Sequence, residues 1–143
     1  MAAGQEVLLP NFGMETLHHV HAADVAQFIL KAIMSRSASV GEAFNVVYDK
    51  ALSLRGYAEA MYRWFGHEPN LRFLPFDDWK STQSPDQAIH AFEHISRSHA
   101  FSIEKARSRV GYSPRYTSLE AIKEPVSAAI EAGEIRVERI RTS

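Results

Sequence analysis

Apolar residues along this 143-residue chain fall into short runs of strand character separated by stretches with helical spacing. Glu6 to Pro10 (Glu-Val-Leu-Leu-Pro) reads as a short strand closed by the turn Pro10-Asn11-Phe12-Gly13, and Glu15 to His21 as a second strand. Val25, Phe28, Ile29, Ala32 and Ile33 then follow the i, i+3, i+4, i+7, i+8 pattern of a helix that buries one face. Asp24 stands where an N-cap belongs, with Gln27 at the capping-box position. Ser35 to Gly41 is small and polar, a loop.

Ala43 to Tyr48 (Ala-Phe-Asn-Val-Val-Tyr) is nearly continuous in β-prone residues, the pattern of a strand covered on both faces. Ser53 is placed to cap a helix carrying Leu54, Tyr57, Ala58, Met61 and Phe65 inward, with Gly66 as its stop. Leu71 to Pro75 is a further short strand. Ser84-Pro85-Asp86-Gln87 combines an N-cap, a proline at the first helical position and a capping-box glutamine, and opens a helix to about Ile95. Phe101 to Val110 is a short helix or turn. Thr117-Ser118-Leu119-Glu120 is another capping box, leading a helix to Gly133 with Pro125 inside it, where a kink is expected. The tail from Glu134 reads as a strand or a loose end. Strands alternating with helices define an α/β chain. Three or four short strands make a thin sheet, and the 43–48 strand wants neighbours on both sides.

Composition narrows the function classes. Sixteen basic and seventeen acidic residues, mixed along the chain, leave a net charge of -1, with Arg136, Arg139 and Arg141 offset by Glu134 and Glu138. That balance gives no case for nucleic acid or an anionic membrane as partner. The absence of cysteine removes disulfides, thiolate catalysis and Cys-based zinc sites. No basic n-region with an apolar core opens the chain, and no apolar run approaches a membrane span, so a soluble cytoplasmic protein is expected.

Several residues invite chemistry. His18, His19 and His21 suggest a metal, but on a strand only His19 and His21 share a face, so no metal site is expected. A structural role for His21, tying the strand to the helix start, is the favoured reading. His90 and His94 share a helix face, but Glu93 is misplaced for a zinc-protease motif, so they read as surface. Asp77, Asp78 and Trp79 fit a sugar pocket, an aromatic face beside hydrogen-bonding carboxylates; helix capping and core packing explain them equally well. The cluster Tyr62, Trp64 and Phe65 reads as core or as covered surface. No elbow of the Gly-x-Ser-x-Gly kind places a serine as nucleophile.

Four segments, in order, resemble the extended short-chain dehydrogenase/reductases, the NAD-dependent epimerase/dehydratase family. Gly4-Gln-Glu-Val-Leu-Leu-Pro resembles the family's segment after its substrate loop. His19-Val-His-Ala-Ala-Asp-Val-Ala resembles its "(F/Y)-(V/I)-H-V-D-D-V-A" junction. Gly41-Glu-Ala-Phe-Asn-Val-Val with Leu52-Ser-Leu-Arg-Gly-Tyr-Ala-Glu resembles "G-E-x-Y-N-(I/V)-G…(V/L)-S-L-x-E-L-A-E". Phe101-Ser-Ile-Glu-Lys-Ala-Arg-Ser-Arg-Val-Gly-Tyr-Ser-Pro, followed by Leu119-Glu-Ala-Ile-Lys-Glu, resembles "x-D-x-S-K-A-R-x-x-L-G-(W/Y)-x-P" and its following helix.

The resemblance implies part of a Rossmann-type sheet plus a small α/β substrate-binding lobe, the C-terminal portion of the extended fold. Residues 1–66 would complete the dinucleotide-binding lobe, and 67–143 would form the substrate-binding lobe. It implies NAD or NADP for the full-length relative, and a small-molecule substrate, possibly a nucleotide sugar. An arginine near Arg97 grips the substrate diphosphate in nucleotide-sugar members, which suits a bidentate guanidinium. The arginine that some members carry four residues before the junction histidine is Leu17 here. Neither Gly-x-x-Gly-x-x-Gly nor Tyr-x-x-x-Lys occurs, so this chain offers no cofactor-binding or catalytic residue of the family's kind. Three expectations follow: a substrate-lobe fragment inert by itself and completed by a missing N-terminal Rossmann half, a free-standing binding domain that self-associates, or one subunit of a two-chain enzyme.

Overall fold

The computed structural model describes residues 1–137. The chain is mixed α/β and its described residues divide into two compact units, one formed by residues 1–17, 52–99 and 126–137, the other by 18–51 and 100–125. These units interleave in sequence.

In the first unit, β1 (Val7–Pro10) pairs in parallel with β4 (Leu71–Leu74), Val7 opposite Leu71 and Pro10 opposite Leu74. β2 (Thr16–Leu17) pairs antiparallel with β3 (Leu52–Ser53). Ser53 caps α3 (Leu54–Trp64), its hydroxyl accepting the Gly56 N–H at 3.1 Å, and Gly66 ends the element with φ 75°. Tyr57, Ala58 and Tyr62 of α3 are buried, and the Tyr62 hydroxyl reaches the carbonyls of Gln5 and Asn70. α4 (Phe76–Ser81) follows β4 directly. α5 (Pro85–Ile95) begins with the full Ser84–Gln87 capping box and proline at its start.

In the second unit, α1 (Ala22–Met34) is followed by a single helical turn, α2 (Arg36–Ser39), where the sequence suggested a loop. α6 (Glu104–Val110) ends on Gly111 in the left-handed region at φ 72°. Ile103, Ala106, Val110 and Tyr112 form its buried core, with Phe28, Phe44, Val46 and Val47 packed around them. α7 (Ser118–Glu131) starts at the expected capping box: the Thr117 hydroxyl accepts the Glu120 N–H, and the Glu120 carboxylate accepts the Thr117 N–H. Pro125 lies within this helix without ending it.

Four expectations change. The 43–48 segment joins no strand ladder among the described residues. Its Phe44, Val46 and Val47 pack on the α6 core, while the Val47 carbonyl accepts the Tyr112 hydroxyl at 3.1 Å and the Tyr48 N–H donates to the His19 carbonyl. Its apolar run is satisfied by helix packing instead of by neighbouring strands. The Glu15–His21 strand shortens to two residues, because from His18 onward the chain is held by side-chain bonds. Asp24 is not the cap of α1. The helix starts three residues earlier, His21 caps it, and the Asp24 carboxylate points out of the helix to other partners. Of the helix face expected to be buried, Phe28 packs inward, whereas Ile29 is 53% and Ile33 69% exposed, beside Leu30 and Met34 at 58% and 77%. The tail shows no strand through Val137; Glu138, Arg139 and Arg141 lie outside the described residues.

Candidate functional site

Residues 19–26, 41–47, 101–114 and 119–124, four of the stretches that carry the family resemblance, lie together in the second unit. His21 uses both ring nitrogens: Nδ1 accepts the Ala23 N–H at 3.1 Å, so Nε2 carries the proton and donates to Glu124 Oε2 at 2.6 Å. Its ring stacks on Tyr116 with centroids 3.9 Å apart. Asp24 is fully buried and accepts the Arg115 N–H at 2.9 Å through Oδ1 and the Tyr116 N–H at 3.1 Å through Oδ2. Two backbone donors aimed at one carboxylate are what allow a charge to be taken out of water. Gln27 adds a third bond, accepting the Ser113 N–H at 3.1 Å. The junction helix and the Gly111-Tyr112-Ser113-Pro114 turn are therefore one hydrogen-bonded piece.

His18 works in the same way. Its Nδ1 accepts the Phe101 N–H at 3.0 Å, its Nε2 lies 2.6 Å from the Tyr48 carbonyl, and its ring stacks on Phe101. With both nitrogens of His18 and His21 engaged, neither ring presents a free lone pair to a metal or a substrate proton. His90 and His94 are exposed on α5, His94 Nδ1 lying 2.8 Å from the His90 carbonyl. Among the described residues no group of three or more His, Asp or Glu side chains is arranged to hold a metal ion.

Cations near the core of this unit are matched by acids. Glu42 accepts from Lys105 at 2.7 Å and Arg109 at 2.8 Å, and the Lys105 bond, with the two positive charges, holds its carboxyl below the usual carboxylate range. Arg107 bridges Asp49 and Glu104. Burial pushes the Tyr112 hydroxyl up to about 12, helped by the negative charge of Asp24.

The residues nominated for substrate contact lie in the first unit. Arg97 is exposed in the turn after α5. Asp78 is exposed on α4, where Asp77 pairs with Lys80 at 2.9 Å. Trp79 is 9% exposed, its indole N–H donates to the Leu8 carbonyl at 3.1 Å, and its ring packs 5.7 Å from Phe76. It therefore serves the core in place of the open aromatic face a sugar platform requires. α4 and α5 line an apolar groove of about 850 Å³ with Phe76, Pro85, Ile89 and Phe92, rimmed by Asp77 and Lys80. Neither Asp78, Trp79 nor Arg97 lines it.

A further site is the turn between β1 and β2. Asn11, Phe12 and Gly13 take positive φ values of 45°, 63° and 65° in succession. Left-handed backbone at a non-glycine residue costs on the order of 1–3 kcal/mol and persists only where surroundings impose it. Asn11 is held from both ends of its amide: it donates to Glu15 Oε1 at 2.7 Å and accepts the Phe76 N–H at 3.0 Å. At Gly13, with φ 65°, a Cβ would be strained by the backbone and crowded against the backbone N and Cβ of Arg55 at 3.1 Å. The result projects Phe12 into solvent, 71% exposed, 5.9 Å from the Phe73 ring, over which the Arg55 guanidinium sits at 5.6 Å. Asn11, Phe12, Phe73, Leu74 and Pro75 line a recess of about 270 Å³. The only advance signal was the turn sequence Pro-Asn-Phe-Gly; the aromatic partner lies more than sixty residues away in the chain.

No helix among the described residues is long and apolar enough to cross a membrane. No protein-family model matches the chain. The chain is 27% identical over 142 residues to the chloroplast stem-loop binding protein of 41 kDa b from Arabidopsis thaliana, an alignment covering 96% of this chain. It spans about a third of that relative's length, 35%.

Proposed function

We propose that this chain is the substrate-lobe portion of a protein of the extended short-chain dehydrogenase/reductase kind, and that it binds a nucleotide-bearing small molecule without catalysing a reaction by itself. The observation that carries the reading is the bonding of Asp24 to the 115–116 backbone, which makes two separately recognised family segments a single structural piece. The similarity over 96% of the chain to a relative about three times as long supports a part-protein role. In the second unit, the exposed apolar stripe of α1, Ile29, Leu30, Ile33 and Met34, is a surface a Rossmann-type sheet would cover. NAD or NADP would be held by that other portion. In the first unit, the Phe12–Phe73–Arg55 recess suits a planar base, which stacks on aromatic and guanidinium faces, and Arg97 suits a diphosphate.

A stem-loop RNA is the rival ligand, taken from the relative's name. The α6 cations that would meet phosphates are already paired with Glu42, Asp49 and Glu104, which favours the small molecule. Uridine diphosphate and a stem-loop RNA titrated separately into the full chain, followed by backbone and side-chain NMR, test this. Uridine diphosphate is expected to shift Phe12, Phe73 and Arg97. A diphosphate response that leaves these three residues unmoved, or salt-sensitive RNA binding with no response to the diphosphate, would overturn the proposal.

A further inference from the structure

Ser98 has φ 46°, a left-handed backbone at a residue with a side chain, in the turn that carries Arg97. Its surroundings account for the strain. The Ser98 hydroxyl oxygen accepts the Thr16 N–H at 3.0 Å. The Thr16 hydroxyl donates to the His99 carbonyl at 2.9 Å, so its single proton is committed there. At the 3.2 Å contact between the two hydroxyls Ser98 must then be the donor. Every hydrogen in the ring is assigned: Thr16 N–H to Ser98 Oγ, Ser98 O–H to Thr16 Oγ1, Thr16 O–H to the His99 carbonyl. A second tie, Ser98 N–H to the Ile95 carbonyl at 3.0 Å, fixes the turn to the end of α5.

The residue between these anchors, Arg97, is exposed and makes no hydrogen bond or ion pair among the described residues. A turn clamped on both sides of a long, unengaged cation is a different arrangement from the α6 arginines, whose guanidiniums are tied by carboxylates. We infer that Ser98 is a positioning residue for Arg97: the Ser98–Thr16 clamp spends backbone strain to fix where the guanidinium leaves the turn, so that it meets an anionic ligand with little ordering left to do. This rests on the reading above that Arg97 contacts a diphosphate.

Uridine diphosphate binding to the full chain, measured by calorimetry for R97A, S98G, T16V and the double variant R97A/S98G, separates the two claims. Glycine relieves the strained φ, so S98G should leave the melting temperature unchanged or slightly higher. It should nonetheless weaken binding about fivefold, because the clamp is lost, while R97A weakens it about tenfold. T16V, which removes the hydroxyl partner, should weaken binding in the same direction as S98G. In the double variant the effect should equal that of R97A alone, since Ser98 acts only through the arginine. If R97A leaves binding unchanged, the diphosphate reading fails. If R97A weakens binding but S98G does not, or if the two effects simply add, Ser98 does not position Arg97 and the inference falls alone.

Discussion

The two units are bonded in different ways. In residues 18–51 with 100–125, the recognisable motif side chains point inward and hold backbone: Asp24 takes the 115 and 116 amides, His18 takes the 101 amide, His21 caps its helix, and Tyr112 reaches the 47 carbonyl. In residues 1–17 with 52–99, a backbone ladder between β1 and β4 and the buried Tyr62 and Trp79 do the holding. There the unusual residues face outward, Phe12 and Ser98 on strained backbone and Arg97 on the turn it shares with Ser98. The stretch that most resembles the family thus turns its polar side chains onto backbone within its own unit, while in the other unit Phe12 and Arg97 are exposed on turns. Asp24 is fully buried, and each of its carboxylate oxygens accepts a backbone N–H, as buried polar groups require.

Asp24→Asn is the strongest way to break this contrast. It replaces one carboxylate oxygen with an amide donor facing a backbone N–H, leaving buried donors unpaired at a cost of about 3 kcal/mol or more. Urea unfolding followed by amide exchange should show protection lost at Arg115 and Tyr116 while the β1–β4 ladder keeps its own. Equal loss in both units would mean that they unfold as one and the contrast is only descriptive.

Trp79→Phe probes the other unit with a smaller effect. The ring volume largely remains, but the bond to the Leu8 carbonyl goes, for about 1 kcal/mol. Exchange at β1 should rise with no change around Asp24; a shift in both would deny the separate bonding.

The smallest effect is electrostatic. Glu42, Glu59 and Glu120 are all held below their ordinary value of 4.5, by Lys105, by Arg55 and by the Thr117 amide respectively. A carboxyl lowered in the folded state stabilises fully above its unfolded value, and that contribution disappears as pH falls through the folded one. Stability measured from pH 6 downward should therefore begin to fall near 4.5 and continue below it. Because Glu42 and Glu120 are exposed and Glu59 is only half-buried, 0.5 M salt should flatten the slope. A slope insensitive to salt would place the acid response in buried groups instead.

Local signals in the sequence were read correctly where a few neighbouring residues decide the outcome. The capping boxes at Ser84–Gln87 and Thr117–Glu120, the Ser53 cap, the Gly66 stop and the short strands at β1 and β4 all depend on hydrogen bonds spanning four residues or fewer, or on local β preference. Asp24 shows where this fails. As a sequence feature it satisfies the N-cap rule, and only the arrival of residues 115 and 116, some ninety positions later, gives its carboxylate better partners. The same holds for the 43–48 run, whose composition specifies burial but not whether a strand or a helix supplies the cover. Phe12 with Phe73, and Ser98 with Thr16, are pairs joined across sixty to eighty residues by backbone conformations that no propensity favours. By itself the sequence determined an α/β chain, the starts of α3, α5 and α7 and the absence within it of the glycine loop and Tyr-Lys pair. Tertiary structure alone decided which polar residues are spent inside and which are held out to solvent, because that choice rests on contacts between distant segments.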